Sequence, residues 1–312
     1  MARYDGPIVD AHHHLWDLDL KRHPWLTDAA SGIGALGDIS YMRKNYLAPD
    51  YWADAAGQNV VATVCIEALW DRARDPVEET LWFEAAEKPG GLATRYVVYA
   101  KLDADDAERM VERQAEFPAV AGLRETVRWH PDPKKRWTDK PLLTDPDWRR
   151  GLKLLERHGL LLELLMNPYQ SEDVAKLAFD FPDQVFVVDH CASPVDRDAE
   201  GLARWRAGLA AMAKAPNIAI KLSNYGAYDP DRSLDNLKAT VLPIVEAFGP
   251  SRTLFGSDYP VARRSMSFAD ICERLKDMLE PFSADEQRAI FHDNAVRYYR
   301  IDTTSRQNEV QP

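Results

Sequence analysis

The chain of 312 residues has little cysteine and no long apolar run. Its three cysteines, Cys65, Cys191 and Cys272, form no C-x-x-C motif, which argues against a disulfide framework and predicts buried, reduced thiols. No apolar stretch reaches the roughly 18 residues of a membrane span, and the first residues lack the apolar core of a secretory signal. We therefore predict a soluble, cytoplasmic protein without a membrane partner.

An excess of positive charge and a phosphate-binding glycine motif are also missing. The net charge of -11 at pH 7 argues against a nucleic-acid partner, which would require a basic patch. There are only 15 glycines, and no G-x-G-x-x-G or G-x-x-x-x-G-K-[ST] motif follows an apolar run. A small-molecule substrate is the expected partner, and a homodimer is an open alternative to a monomer.

Short apolar runs alternate with amphipathic stretches along the whole chain. Near-continuous apolar runs are typical of parallel strands that helices cover on both faces. Their number favours an α/β fold, a distorted (β/α)8 TIM barrel forming one domain over 1–301, and a doubly wound sheet is the alternative. The eight predicted strands are 8–11, 60–66, 94–99, 120–123, 160–165, 185–188, 218–222 and 253–255.

The segment 17–58 interrupts this alternation after the first strand. It is long and rich in aromatic residues, among them Tyr41, Tyr46, Tyr51 and Trp52. Loops of this length in a compact domain are usually functional or disordered. We predict a packed lid over the barrel mouth, with a surface excursion as the alternative, and a disordered polar tail over 302–312.

Three consecutive histidines follow the first apolar run. His12 and His14 should point to one face of the strand and His13 to the other, because side chains alternate along a strand. Two imidazoles on one face can hold a metal ion or polarise a substrate. A leftover affinity tag is the alternative, but the run is internal and follows an apolar strand. We predict His12 and His14 as site residues and His13 as a bystander.

Four further candidates follow other strands, at the end of the barrel where active sites lie. Glu67 either contacts the substrate or caps a turn. Arg124, four residues before Arg128, either binds a substrate carboxylate or carbonyl or forms a structural salt bridge. His190 is either catalytic or a buried structural histidine.

Three charged residues complete the set of candidates. Asp258 follows the last strand beside Gly256, which permits close backbone approach, and we expect it to be catalytic. Glu163 lies among leucines, where a buried, paired carboxylate is more common than a ligand. The direction of the Lys221 side chain stays open.

Several motifs, taken in order, resemble the amidohydrolase superfamily. The main ones are D-A-H-H-H-L-W-D at 10–17, V-V-D-H-C-A-S-P at 187–194 and L-F-G-S-D-Y-P at 254–260. Further matches are E-A-L-W at 67–70, A-G-L-R at 121–124 and I-K-L-S at 220–223. The chain is most similar to the amidohydrolase-related (amidohydrolase 2) branch, which includes sugar lactonases, 2-pyrone-4,6-dicarboxylate lactonase and 4-sulfomuconolactonase.

The resemblance implies roles for the candidate residues. Asp258 would handle the proton of the attacking water, and His190 would lie beside the scissile carbonyl. His12, His14 and Asp258 would bind one divalent metal, usually zinc, or the two histidines would contact the substrate directly, as in metal-free lactonases. Arg124 would hold a substrate oxygen or carboxylate. Apart from the resemblance, Arg128, Glu67 and Tyr259 are further candidates for substrate contacts.

The fifth strand departs from the metal-bound pattern of this superfamily. Many relatives have a histidine or a carbamylated lysine there, whereas this chain has Glu163 followed by Leu-Leu-Met. Since a zinc site needs three protein ligands, Glu163 is a substitute candidate. One divalent metal, with zinc as the first candidate, is expected, and a site without metal is the alternative. A binuclear site is not expected.

These observations predict a hydrolase that opens a lactone, either a sugar lactone or a ring carboxylate, with Asp258 as the general base. A metal-dependent, non-oxidative decarboxylase of the same superfamily is the alternative, although such enzymes use the strand-five histidine that is missing here. A ligand-binding barrel without catalysis is the third hypothesis.

Overall fold

The chain forms an eight-stranded sheet in which every strand is parallel to its neighbours and the strand order follows the sequence. The structure, a computed structural model, describes residues 2–28 and 38–302. The strands are β1 Ile8–His13, β2 Val60–Ile66, β3 Arg95–Val98, β4 Val120–Thr126, β5 Leu161–Leu165, β6 Phe186–Val188, β7 Ile218–Leu222 and β8 Thr253–Phe255. This architecture confirms the predicted (β/α)8 barrel.

Helices cover the outside of the sheet, as the amphipathic stretches predicted. A wider helical turn at Ala289–Asp293 connects the last two helices. Within the described residues, the helices are α1 Pro24–Thr27, α2 Ala48–Asp54, α3 Val77–Ala85, α4 Ala107–Ala115, α5 Pro146–His158, α6 Ser171–Asp180, α7 Ala199–Met212, α8 Leu234–Phe248, α9 Phe268–Leu279, α10 Ala284–Arg288 and α11 Asn294–Tyr299. None of them combines the length and the apolar character that crossing a bilayer requires.

The first and last strands meet where their carboxyl ends lie side by side. The amide of His14 donates to the carbonyl of Tyr259 over 2.9 Å, and the amide of Asp258 donates to the carbonyl of His12 over 2.7 Å. The register of β1 shifts between Asp10 and His13, which is the distortion expected for this barrel. The closure therefore brings the His-x-His motif and Asp258 together from opposite ends of the sequence.

The interior of the barrel has an apolar layer on the side of the strand N-termini. Val9, Ala62, Val187 and Leu254 are among its buried residues, and Tyr299 of α11 packs with them. The apolar layer lets the polar residues further along the same strands collect at the opposite end. The C-terminal helix thus packs beneath the region where the site lies.

The described parts of the segment 17–58 pack at the barrel mouth. The hydroxyl of Tyr51 donates to the buried Asp10 carboxylate over 2.8 Å, and that of Tyr41 donates to the carbonyl of Val261 over 2.6 Å. The indole of Trp25 donates to the carbonyl of Ala68 over 2.8 Å. Its action as a lid stays a prediction. The predicted tail lies outside the described residues, apart from its first residue.

Candidate active site

Three imidazoles surround one carboxylate at the carboxyl end of the barrel. One Asp258 oxygen, Oδ1, lies 3.5 Å from Nε2 of His12, 3.4 Å from Nε2 of His14 and 3.9 Å from Nε2 of His190. All four side chains are buried. The second oxygen of Asp258, Oδ2, and Nε2 of His12 have no hydrogen-bond partner among the described residues. Because buried polar atoms are normally satisfied, these two atoms indicate a site for a bound group.

Local backbone geometry holds these side chains in place. Asp258 adopts a left-handed conformation with φ of 56°, and a side chain at Gly256 would lie only 2.8 Å from Cβ of His12. On the other side, His190, Cys191, Ala192 and Ser193 all have φ between 49° and 57°. A run of left-handed residues without glycine is strained, and such strain is typical of functional sites.

The imidazole of His14 is oriented by the backbone of the neighbouring strand. Its Nδ1 lies 3.0 Å from the carbonyl oxygen of Ile66, and a proton on Nδ1 leaves Nε2 free to accept or to bind a metal. His13 points to the other side, with Nε2 2.8 Å from Oγ1 of Thr63 and its ring against Tyr51. The structure therefore places His13 away from the site, as predicted.

A buried ionic cluster lies beneath His12. Nζ of Lys221 is 3.0 Å from Nδ1 of His12, donates to Glu163 over 2.6 Å and lies 3.3 Å from Asp189. The hydroxyl of Tyr299 donates to the other oxygen of Glu163 over 2.6 Å. Burial and the neighbouring Lys221 hold the pKa of His12 well below its ordinary value, so the imidazole is neutral.

The cluster also overturns one sequence interpretation. Glu163 faces Lys221 and Tyr299, and it belongs to neither group of described side chains with metal-binding spacing, so its role as a substitute ligand is corrected. Burial raises its pKa to about 8, although Lys221 acts in the opposite direction. Lys221, whose direction the sequence left open, points into the barrel.

Arg124 reaches the site with a carboxylate partner of its own. Its Nε donates to Oε1 of Glu67 over 2.9 Å, and its Nη2 donates to the carbonyl of Glu67 over 2.7 Å. Burial opposes the charge of Glu67, but Arg72 and Arg124 outweigh it and lower the pKa of Glu67 to about 2. Glu67 is fully buried and does not line the cavity, so the expected substrate contact is corrected to a residue that positions Arg124.

Tyr259 is likewise absent from the cavity wall. It is only 2% exposed, its hydroxyl donates to the carbonyl of Met266 over 3.1 Å, and its ring packs on Phe268. Its expected role as a substrate contact is therefore corrected to packing beneath the loop that follows Asp258.

A cavity of about 290 Å³ opens above the three imidazoles and Asp258. Predicted residues on its wall are His14, Arg124, Arg128, His190 and Asp258, while His12 lies just below it. Several other lining residues were not predicted from the sequence: Trp137, Asn224, Tyr228, Val261 and Arg264. These lie in loops after the strands, and only their positions beyond strand ends could have pointed to them.

The residues present fit one divalent metal. His12, His14 and Asp258 each offer one ligand atom, and these atoms lie within 4.8 Å of one another. Two imidazoles and a carboxylate form a three-ligand set of the kind that catalytic zinc sites use, with a further position for water or substrate. The unpartnered Nε2 of His12 supports this assignment.

Comparisons with known proteins identify the family of the chain. A family model described as Amidohydrolase matches residues 9–301. The protein y4mH of Sinorhizobium fredii is 33% identical over 300 residues, covering 95% of this chain and 99% of that protein. The L-fucono-1,5-lactonase of Burkholderia multivorans is 26% identical, covering 94% of this chain and 96% of the lactonase.

A solved structure has the same fold. An amidohydrolase of Burkholderia multivorans, crystallised with bound zinc, superposes with a TM-score of 0.77 at 24% identity, over 95% of this chain and 100% of that chain. The family, the relatives and the motifs at the barrel mouth agree with one another. The chain therefore belongs to the amidohydrolase family, as a hydrolase of the branch that contains lactonases.

Proposed function

We propose that this protein hydrolyses the ester bond of a lactone, with Asp258 as the general base. The observation that carries the proposal is the position of Asp258, where Oδ1 faces three imidazoles and Oδ2 has no partner among the described residues, at the base of the cavity. A carboxylate in this position can take a proton from water as the water attacks a carbonyl carbon. The cavity of about 290 Å³ suits a small ring compound.

The remaining side chains stabilise the charge that develops on the carbonyl oxygen. His14 and His190 line the cavity beside Asp258, and Arg124 presents a guanidinium that Glu67 holds in one orientation. Donors fixed before the reaction stabilise an oxyanion at little reorganisation cost. After ring opening, protonated Asp258 can return its proton to the leaving alkoxide.

His12, His14 and Asp258 are proposed to hold one divalent metal, with zinc as the first candidate. When bound, such an ion polarises a carbonyl and lowers the pKa of a bound water. The neutral state of His12, maintained by burial and Lys221, keeps a nitrogen lone pair available for this purpose.

The lactonase proposal is tested with the substitution Asp258→Asn. Ring opening of a lactone panel, followed with a pH indicator, should fall by about 10²–10⁴-fold, because the amide cannot accept the proton. Asp183→Asn is the matched control, since Asp183 is exposed and precedes β6 at the opposite end of the barrel. Circular dichroism and metal content are measured for both variants.

Unchanged turnover in folded Asp258→Asn protein would contradict the mechanism. The same preparations separate the two alternatives. Release of carbon dioxide from an unsaturated or aromatic acid would favour decarboxylation, and saturable lactone binding without product would favour a binding protein. The fifth strand weighs against decarboxylation, because it offers Glu163, bound to Lys221, instead of a histidine.

A further inference from the structure

Arg128 is a buried guanidinium without a carboxylate partner. It is 8% exposed, and it lines the cavity just beyond the end of β4. Its Nη2 donates to Oγ of Ser193 over 2.6 Å, whereas its Nε has no hydrogen-bond partner among the described residues. No described acidic side chain forms an ion pair with it. Asp189 and Asp258 favour its charge without forming an ion pair with it, and they do not offset the cost of burial, so a counterion bound in the cavity would stabilise it.

The surroundings of Arg128 fix its position without neutralising it. The guanidinium lies 4.8 Å from the ring centroid of Trp137, and the hydroxyl of Tyr228, which also lines the cavity, is close enough to influence its charge. Ser193 is the last residue of the left-handed run that also carries His190. One strained turn therefore places both the imidazole beside Asp258 and the hydroxyl that holds Arg128.

Other groups on the same wall also lack partners. Oγ1 of Thr126 and Oδ1 of Asn224 are buried, line the cavity and have no hydrogen bond among the described residues. Arg264 lies at the exposed rim. The lining residues include three arginines, Arg124, Arg128 and Arg264, but one acidic residue, Asp258. Since Glu67 neutralises Arg124, the wall keeps an excess of positive charge in a chain whose net charge is -11.

We infer that Arg128 forms a subsite for a carboxylate of the substrate, so that the lactone hydrolysed here carries a free acid group in addition to its ester. This inference rests on the proposed lactonase function and adds the substrate class. The planar guanidinium fork matches the two oxygens of a carboxylate, and Ser193 and Tyr228 keep the fork facing the cavity. Thr126 and Asn224 would bind hydroxyl groups of the ring.

The test compares lactones that differ only in the acid group. One pair is D-glucaro-1,4-lactone and D-glucono-1,4-lactone, and a simpler pair is 5-oxotetrahydrofuran-2-carboxylate and γ-valerolactone. Wild-type protein should favour the acid of at least one pair by about 10–100-fold in kcat/KM, the range expected for a hydrogen-bonded charge pair. Arg128→Gln should remove most of that preference, and Arg128→Lys, which keeps the charge but loses the fork, should retain part of it.

Two control variants separate the subsite from general positive charge. Arg264→Gln, at the exposed rim, should reduce the preference by less than Arg128→Gln does, because solvent screens its contribution to the positive charge of the wall. Arg150→Gln, on the outer surface of α5, should leave it unchanged. A wild-type enzyme without preference for the acid, or a preference that folded Arg128→Gln protein retains in full, would overturn the inference.

Binding measurements make the result independent of turnover. Calorimetry on Asp258→Asn protein with the same pairs measures the preference when catalysis is removed. If wild-type protein opens no lactone but binds the acids more tightly, and Arg128→Gln abolishes this difference, then the lactonase proposal fails and the carboxylate subsite stands. If lactones are opened without any preference that depends on Arg128, the lactonase proposal stands and the subsite fails.

Discussion

Arg124 and Arg128 lie four residues apart, and both are buried and line the same cavity, but their electrostatic surroundings differ. Arg124 pairs with Glu67, and although burial opposes its charge, the pair raises the pKa of the guanidinium. Arg128 has only neutral hydrogen-bond partners, and burial lowers its pKa. The chain thus supplies a counterion for the charge of Arg124 and supplies none for the charge of Arg128.

This difference distinguishes two uses of a buried charge. A guanidinium with an internal carboxylate has one orientation before the substrate arrives, which suits the stabilisation of a reacting oxygen. A guanidinium without an internal carboxylate is stabilised most when an anion binds, which suits the recognition of an anionic substrate. Glu67 itself belongs to the first use, because it never reaches the cavity and acts through Arg124.

The largest expected effect on stability comes from breaking the balanced pair. Glu67→Gln removes the charge that Arg124 and Arg72 share, and breaking a buried ion pair typically costs about 3–5 kcal/mol. Urea denaturation at pH 7 measures the loss. Glu78→Gln is the matched control, because Glu78 pairs with Arg74 at the surface and should lose about 0.5 kcal/mol or less.

A cost for Glu67→Gln as small as that of the control would show that Arg124 needs no partner. The comparison with Arg128 would then fail, because both arginines would tolerate burial alone. The double variant Glu67→Gln, Arg124→Met sharpens the test, since it removes the charge on both sides. Its stability should recover part of the single loss.

The second effect is a dependence of stability on pH. The pKa of Glu67 is about 2 in the folded protein, against an ordinary value of 4.5. Its contribution is therefore complete above pH 4.5 and is lost as the pH falls towards 2, because the unfolded chain takes up the proton first. The difference between these two pKa values corresponds to about 3 kcal/mol in the free energy of unfolding.

Denaturation of wild-type and Glu67→Gln protein across this pH range isolates the contribution, because carboxylates distant from Glu67 titrate equally in both. The exception is the buried Glu79, whose pKa burial and Glu67 raise to about 8, above this pH range. The gap between the two stabilities should narrow as the pH falls from 4.5 towards 3. If the difference in stability between the two proteins does not change with pH, then Arg72 and Arg124 do not hold Glu67 in its ionised form. Glu78→Gln should follow the wild-type curve closely at each pH.

The positions of the proposed reacting groups could be predicted from sequence because local rules govern them. Side-chain alternation placed His12 and His14 on one face, and the strand-end rule identified His190 and Asp258. The barrel itself followed from repeated apolar runs, although β4 continues to Thr126, beyond the predicted end at 123.

The pairing of charges could not be predicted, because it depends on how strands align across the barrel. Glu67 and Arg124 are 57 positions apart, and Glu163 and Lys221 are 58 apart. Nothing local marks Arg124 as the balanced arginine. The left-handed run that ends at Ser193 was equally hidden, since it contains no glycine. Whether a buried charge has an ion-pair partner within the chain is thus a property of the tertiary fold.

The smallest expected effect on stability is that of replacing Arg128, the arginine without an ion-pair partner. Arg128→Met should change the free energy of unfolding by no more than about 1 kcal/mol, because the lost bond to Ser193 is offset by the removal of a buried charge. Arg124→Met, with the same change in size, should cost about 3 kcal/mol, because it leaves part of Glu67 unpaired. Urea denaturation of both variants without ligand measures the difference. Equal losses would mean that Arg128 is already neutralised within the chain, and the asymmetry between the two arginines would disappear.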